Sequence, residues 1–324
     1  MDSDHVVLQM PSIDPDFEVK SDSPHVRPIN LSNRVVIVEG PLRGGASCDI
    51  YAGEIELEKG RKEKVAMKQL RVFMNWTDKE RSMATKLFRR EIRIWSSFDH
   101  PNILHFYGYA TVDTCRFFLI SPWAASGNIM EYLERHPGAN RHKLIIQIVK
   151  ALQYLHGRAP CAYVHGDLKG DNVLISEGGH ALVCDFGLTR RIEKMASMTA
   201  TPSGRSPIGH IRFTAPELFR LGCKPTRESD IFAFACLVIQ IFTGQQPYRE
   251  LSDPQVLSVV MNGGIPNRPV DRATRQNGLT DAWWNLITRC TVYYPSQRPT
   301  MSEVVNILAS TQFSTEYPVC ISFQ

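Results

Sequence analysis

The sequence predicts an α+β fold in which a smaller β-rich part is followed by a larger, mainly helical part. Short runs of strand-forming residues dominate from residue 34 to residue 120. Helical patterns dominate after residue 128, as in RHKLIIQIVKALQYLH at 141–156. The connecting stretch 121–127 consists largely of small and turn-forming residues. We therefore expect two lobes with a cleft between them.

Composition excludes several classes of protein. The chain has 324 residues, of which 43% are hydrophobic and 22% charged, as in ordinary globular proteins. The net charge is +4, without a dense block of Lys and Arg, so a nucleic-acid partner is not expected. Neither a signal sequence nor a membrane-spanning apolar run is recognisable. The eight cysteines are scattered without a CxxC pair, which favours a reducing, cytoplasmic compartment.

The predicted domain boundaries follow changes in composition along the chain. Residues 1–33 are rich in Asp, Ser and Pro and are predicted to form a flexible or loosely docked extension. The first lobe then covers 34–120, the hinge 121–127 and the second lobe 128–310, and 311–324 form a C-terminal tail.

Five β-rich runs build the first lobe. RVVIV at 34–38 and IYAGEIELE at 50–58 form a hairpin with a glycine-bearing turn, and KVAMKQL at 64–70 supplies the third strand. ILHFYGYA at 103–110 and RFFLIS at 116–121 predict two further strands.

An amphipathic helix interrupts these strands, with Thr77 and Asp78 as candidate N-terminal caps. Its spacing places Glu91 among the apolar residues of the inward face. A buried carboxylate needs a partner. The alternative is that Glu91 lies at the edge of the apolar stripe and reaches solvent.

Two helical patterns stand out in the second lobe. The segment 229–242 is apolar almost all round and is expected to be buried on every side, although Gln240 interrupts it. Thr300 and Glu303 predict a capping box at the start of a last helix.

The stretch HGDLKGDN at 165–172 concentrates two carboxylates, a lysine and an asparagine after an apolar run. By itself it is either a site for moving phosphate or a charged, solvated turn. Other short motifs surround it in a fixed order: VAMK (65–68), DFG (185–187), APE (215–217), SDIFAF (229–234) and QRP (297–299).

Together these motifs make the chain from about 34 to 310 resemble the eukaryotic protein kinase family. The resemblance implies the bilobal protein kinase fold, with a small β-rich N-lobe and a larger, mainly α-helical C-lobe. HGDLKG and SPWAASGNIMEYL are most similar to the tyrosine-kinase-like (TKL) kinases of mushroom-forming fungi.

The resemblance also implies ATP and Mg²⁺ as cofactors and assigns the residues that act on them. Lys68 would bind the nucleotide phosphates and be held by Glu91. Asp167 would act as the catalytic base, with Lys169 near the transferred phosphate. The implied magnesium ligands are Asn172 and Asp185.

The nucleotide pocket is implied by the same alignment. Ala66 and Leu174 would sandwich the adenine, and Ser121 would be the gatekeeper. Pro122 and Ala124 would offer hinge backbone groups; the hinge pattern needs only the carbonyl of Pro122, which a proline keeps. The phosphate-loop contacts would come from Gly45 and Ile50.

Two departures from the family pattern concern binding and regulation. Of the three glycines of the phosphate loop only Gly45 is in register, because Arg43 and Cys48 occupy the other positions. This predicts weaker nucleotide affinity. Gly166 replaces the arginine that many kinases use to hold a phosphorylated activation segment. That segment offers Thr189, Ser197, Thr199, Thr201, Ser203 and Ser206.

The expected function is phosphorylation of serine or threonine in protein substrates, because Lys169 in DLKxxN resembles the serine/threonine-specific pattern. His210 stands where such kinases carry a threonine, so tyrosine or dual specificity is a lesser alternative. The main alternative is a pseudokinase that serves as a scaffold. The resemblance further implies that Glu217 pairs with Arg298 and that Asp230 holds the backbone of the catalytic loop.

Overall fold

The computed structural model describes residues 28–44, 48–57, 60–70, 78–112, 116–159, 162–192 and 211–310. The chain divides into two compact units. The first comprises Met1–Asp99 and Leu104–Trp123, and the second comprises His100–Ile103 and Ala124–Gln324. The short excursion His100–Ile103 joins the second unit through a bridge from Ile103 to Val183.

The first unit is a five-stranded antiparallel sheet with the order β1-β2-β3-β5-β4, together with one helix. Its elements are β1 (Val35–Gly44), β2 (Cys48–Glu56), β3 (Lys62–Leu70), α1 (Asp78–Trp95), β4 (Gly108–Val112) and β5 (Arg116–Pro122).

Two predictions for this unit need correction. The strand predicted at 103–110 begins only at Gly108, because the carbonyl of Leu104 instead accepts a hydrogen bond from the Trp95 indole at 2.7 Å. Residues 28–33 differ from the expected flexible extension. Leu31 is buried, and its N–H donates to the carbonyl of Tyr109 at 2.7 Å. The predicted cap Thr77 and residues 1–27 lie outside the described ranges.

The side chains of β3 alternate between the buried core of this unit and the opposite face of the sheet. Val65 and Met67 are fully buried and pack in one cluster with Phe118 and Ile120 of β5. Successive side chains of a strand point to opposite faces of the sheet. Ala66 and Lys68 therefore lie on the other face, where the Lys68 ammonium meets Glu91 of α1.

The second unit is mainly helical, with two pairs of short antiparallel strands. Its helices are α2 (Ile129–Arg135), α3 (Arg141–Gly157), α4 (Arg227–Thr243), α5 (Asp253–Met261), α6 (Arg272–Gln276), α7 (Asp281–Cys290) and α8 (Met301–Leu308). Its strands are β6 (Ala162–Val164) with β9 (Arg190–Ile192), and β7 (Val173–Ile175) with β8 (Ala181–Val183).

Helix α4 is the centre of the second unit. Every residue from Ser229 to Phe242 is buried, as the apolar run predicts. Thr226 and Ser229 form a capping box at its start, and Gly244 ends it in the left-handed conformation with φ of 73°. The predicted capping box of Thr300 and Glu303 at α8 is also present. The predicted α+β fold class is confirmed.

Arg298 satisfies all its side-chain N–H groups inside the second unit. Its guanidinium binds both carboxylate oxygens of Glu217, at 2.7 and 2.8 Å. The remaining donors reach the carbonyls of Val292, Glu228 and Tyr293. The predicted pair is thus a buried clamp between the segment around Glu217 and the residues before α8.

Another buried polar contact lies between α3 and α7. The indole N–H of Trp283 donates to Nδ1 of His142 at 2.8 Å, and both side chains are buried. Burial, with a smaller contribution from neighbouring Arg141, lowers the pKa of His142 to about 4. The imidazole is therefore neutral near neutral pH, as an acceptor must be.

Five described cysteines are free thiols, and Cys184, Cys236 and Cys290 are buried. Burial raises the pKa of Cys290 to about 12. Such thiols stay protonated and are poor nucleophiles. No helix within the described ranges is both long and apolar enough to span a bilayer.

We expect Arg298→Met to lower the free energy of unfolding by about 3–5 kcal/mol, because Glu217 then lacks its counter-ion in a largely buried setting. Urea denaturation measures this free energy for the wild type, for Arg298→Met, for Glu217→Gln and for the double variant Glu217→Gln/Arg298→Met. The double variant should cost less than the sum of the single changes. Additive effects would show that the pair does not act as a unit.

The stability of the second unit should depend on pH through His142. Its folded pKa is below the ordinary value of 6.5, so the unfolded chain takes up the proton first. The resulting stability is complete above pH 6.5 and is lost as pH falls toward 4, with a limit of about 3 kcal/mol. Asn at position 142 keeps an acceptor but cannot titrate.

Urea denaturation between pH 7 and 4 should therefore show a flatter pH dependence for His142→Asn than for the wild type. The same substitution at exposed His105 is the matched control and should keep the wild-type slope. Equal slopes for all three proteins would contradict the assignment.

Candidate active site

The first part of the candidate site is an ion pair between β3 and α1. The Lys68 ammonium lies 2.7 Å from a carboxylate oxygen of Glu91, and their side chains are 14% and 5% exposed. Glu91 is therefore not at the solvent edge of the helix, and Lys68 is not a surface lysine. A buried pair of this kind fixes the position of the ammonium, as phosphate binding requires.

The other nucleotide residues predicted for the first unit surround this lysine in the sheet. Ile50 lies opposite Lys68 in the β2–β3 register. Ala66 lies opposite Ser121 in the β3–β5 register, and Ser121 is buried. Pro122 is the last residue of β5. Four predicted residues thus occupy three adjacent strands.

Two predicted pocket residues belong to the second unit. The Ala124 carbonyl accepts the N–H of Gly127 at 3.0 Å, which closes the turn that follows β5. Leu174 is a half-buried residue of β7 and forms an isolated bridge with Asn128.

The catalytic residues predicted in HGDLKGDN converge on one carboxylate. The Lys169 ammonium lies 3.3 Å from Oδ2 of Asp167. The Asn172 amide donates to the same oxygen at 2.9 Å and to the Asp167 carbonyl at 2.7 Å. Lys169 and Asn172 are buried. The stretch is therefore not a solvated turn, although Asp171 is exposed.

His165 braces this loop through contacts on both ring nitrogens. Its Nδ1 accepts the N–H of Asp167 at 3.2 Å, so Nε2 carries the proton and donates to the Cys184 carbonyl at 3.0 Å. The ring is completely buried and packs edge-on against Phe186. One histidine thus links the loop to the DFG segment.

Asp230 anchors the start of the loop from α4. Its carboxylate accepts the N–H groups of His165 and Gly166, at 2.7 and 2.9 Å. His156 of α3 contacts the same carboxylate at 2.9 Å. Only 1% of Asp230 is exposed, so its carboxylate needs these hydrogen-bond partners in place of water. The prediction that Asp230 holds the loop backbone is confirmed.

The two predicted metal ligands are brought together by the backbone. The N–H of Cys184 donates to the Asn172 carbonyl at 3.0 Å, which places Asp185 beside Asn172. Asp185 adopts the left-handed conformation, with φ of 65° and ψ of 76°. Non-glycine residues rarely adopt it, at a cost of about 1–3 kcal/mol, and they concentrate at functional sites.

These residues fit a magnesium ion that is completed by phosphate oxygens. Mg²⁺ takes one or two protein oxygen ligands when it binds together with a nucleotide. Asp185 and Asn172 offer a carboxylate and an amide oxygen. Within the described ranges, no group of three His, Cys, Asp or Glu residues forms a self-sufficient metal site.

The structure adds a physical reason for glycine at position 166. Gly166 has φ of 80°, which glycine adopts without strain and arginine does not. Thr189, one of the hydroxyls that the activation segment offers, is fully buried and donates its hydroxyl to the His165 carbonyl at 3.2 Å. The Thr189 hydroxyl is therefore inaccessible for phosphorylation.

Several predicted residues lie outside the described ranges, namely Gly45, His210 and the remaining activation-segment hydroxyls. Sequence reasoning also missed three residues that support the loop: His156, Thr189 in its bracing role, and Gln240, whose side chain accepts the N–H of Gly170. Only Gln240 carries a signal in the sequence, as the polar residue in an apolar helix.

Comparison with known proteins agrees with this arrangement. A family model described as protein tyrosine and serine/threonine kinase matches residues 36–308. Human mitogen-activated protein kinase kinase kinase 7 is 30% identical over 259 residues, which cover 77% of this chain and 38% of that protein.

The serine/threonine-protein kinase RUNKEL of Arabidopsis thaliana is 28% identical over 243 residues, 74% of this chain and 16% of that protein. Human ephrin type-A receptor 5 is 27% identical over 303 residues, 91% of this chain and 27% of that protein. The chain therefore spans less than half the length of each relative.

Proposed function

Because the chain belongs to the protein tyrosine and serine/threonine kinase family, we propose that it transfers the γ-phosphate of ATP to serine or threonine hydroxyls of protein substrates. The observation that carries this proposal is the Asp167 carboxylate, which contacts both Lys169 and Asn172. Phosphoryl transfer depends mainly on positioning and on neutralising charge, and this loop supplies a fixed carboxylate and a fixed cation.

Each side chain has one role in the proposal. Asp167 orients the substrate hydroxyl and accepts its proton, and Lys169 stabilises negative charge on the transferred phosphoryl group. Lys68, held by Glu91, binds the nucleotide phosphates. Asn172 and Asp185 would hold Mg²⁺, which neutralises charge on the phosphate oxygens when bound.

Adenine recognition is proposed for the residues that border β3 and the hinge. Ala66 and Leu174 sandwich the ring, and Ser121 leaves room behind it. The carbonyl of Pro122 and the backbone of Ala124 supply hydrogen bonds. Gly45 and Ile50 would contact the phosphates and ribose side of the nucleotide.

Serine/threonine specificity is supported by Lys169 in DLKxxN and by relatives that carry that name. A relationship to the tyrosine-kinase-like kinases of mushroom-forming fungi rests on HGDLKG and SPWAASGNIMEYL. His210 keeps tyrosine or dual specificity as a second outcome. We further propose a cytoplasmic location, consistent with the free thiols.

A pseudokinase scaffold is the competing function, and a specific observation favours it. Arg43 and Cys48 replace two glycines of the phosphate loop, which weakens close backbone contact with phosphates. Opposing it, the Lys68–Glu91 pair and the contact between Asp167 and Lys169 support an active enzyme, because both cations are held by carboxylates.

Replacing Asp167 with alanine should lower phosphate transfer about 10²–10⁴-fold, because the general base is lost. Labelled ATP, Mg²⁺ and generic protein substrates measure the rate, and phosphoamino-acid analysis identifies the acceptor. Asp171→Ala is the matched control, since it removes an exposed carboxylate from the same loop. It should retain activity within about twofold of the wild type.

Three results would contradict the proposal in whole or in part. If neither the wild type nor Asp167→Ala transfers phosphate to any substrate, the pseudokinase is favoured. Full activity of Asp167→Ala would remove Asp167 from the mechanism. Phosphotyrosine as the main product would overturn serine/threonine specificity alone.

Activity should not require phosphorylation of the activation segment, because Gly166 offers no guanidinium to a phosphate there. We expect a variant with alanine at Ser197, Thr199, Thr201, Ser203 and Ser206 to keep its rate within about threefold. Thr189 stays unchanged in this variant, because its buried hydroxyl supports the catalytic loop. Loss of activity in a folded variant, judged by its melting temperature, would contradict this expectation.

A further inference from the structure

Gln240 is the polar residue that interrupts the apolar part of α4. It is 8% exposed, and its neighbours from Ile231 to Phe242 are buried. A buried amide is costly unless it forms hydrogen bonds. Its presence in the most buried helix of the second unit therefore calls for a specific partner.

That partner is the catalytic loop. Oε1 of Gln240 accepts the N–H of Gly170 at 3.1 Å. Gly170 begins the short 3₁₀ turn Gly170–Asn172, whose first N–H groups have no acceptor within the turn. The preceding Lys169 forms no side-chain cap. Gln240 thus supplies, from another element, the cap that the loop lacks.

Close packing at Gly170 makes this contact specific. A Cβ added at position 170 would lie 2.8 Å from Oε1 of Gln240 and 2.7 Å from Cγ of Met130. Any larger residue at position 170 would displace one of these side chains.

Asp230 and Gln240 hold opposite ends of the loop. Asp230, in the first turn of α4, binds the N–H groups of His165 and Gly166. Gln240 lies almost three turns later, a rise of about 15 Å, and binds Gly170. Residues 167–169 lie between these two anchored positions. They include both proposed reacting side chains, Asp167 and Lys169.

We propose that Gln240 is a positioning residue that, together with Asp230, fixes Asp167 and Lys169 in their reactive arrangement. The catalytic consequence rests on the proposed function, whereas the anchoring of Gly170 does not. Gln240 does not touch substrate; it acts through the backbone of the loop.

The test compares Gln240→Met, which keeps the length but removes the acceptor, with Gln240→Glu, which restores an acceptor oxygen. Gln153→Met on α3 is the matched control for the same chemical change. Hydrogen exchange at the Gly170 amide, kcat and the KM for ATP are measured for each protein.

Gln240→Met should speed exchange at Gly170 about two- to tenfold, as expected for loss of one hydrogen bond. It should lower kcat about ten- to a hundredfold through misplacement of Asp167, with the KM for ATP within about twofold. Gln240→Glu should recover most of kcat, and Gln153→Met should match the wild type. A merely structural role would not give this split and rescue.

If Gln240→Met folds poorly, Gly170→Ala tests the same contact. The added Cβ would push the Gln240 oxygen away from the loop. This variant should reproduce the loss of kcat with α4 unaltered. Unchanged exchange at Gly170 in Gln240→Met, or no recovery in Gln240→Glu, would overturn the proposal. If the wild type transfers no phosphate, the proposed function fails, and Gly170 exchange still decides whether Gln240 anchors the loop.

Discussion

The second unit depends on the contacts that the buried carboxylate of Asp230 makes. This carboxylate is almost completely buried, at the start of a helix whose buried residues are mostly apolar. An ionised group in that position is tolerable only with several donors around it. The donors come from the catalytic loop and from α3, so the same requirement that stabilises Asp230 also orders the loop. Folding and the geometry of the site are therefore coupled through one buried charge.

Other buried polar groups follow the same logic. Arg298 joins Glu217 across 81 positions of sequence, and Lys68 joins Glu91 across 23. Each pair replaces lost hydration with a partner from a different element. Such pairs add little net stability compared with apolar packing, but removing one partner is strongly destabilising. The Lys68–Glu91 pair joins β3 to α1, and the Arg298–Glu217 pair joins the segment around Glu217 to the residues before α8.

The sequence predicted the parts of the fold that depend on local pattern. The apolar run of α4, the inward position of Glu91 and the capping box of Thr300 all follow from helical spacing and capping chemistry. Contacts formed only after folding were not predictable in this way. Nothing in the local sequence indicates that His156 reaches Asp230, or that the Leu31 backbone pairs with Tyr109. The kinase motifs implied the contacts of Lys68 with Glu91, of Glu217 with Arg298 and of Asp230 with the loop backbone. They did not imply the contacts of Asp167 with Lys169 and Asn172.

The departures from the family pattern act on different physical steps. Loss of glycines before β2 bears on how closely the backbone can approach phosphates, hence on nucleotide affinity. It leaves unchanged the contacts of Asp167 with Lys169 and Asn172, which bear on turnover. Gly166 has a backbone conformation that suits glycine and still donates its N–H to Asp230. The missing arginine therefore leaves the Asp230 anchor in place. Weak nucleotide binding, as proposed from the glycine positions, does not conflict with the chemistry proposed at Asp167.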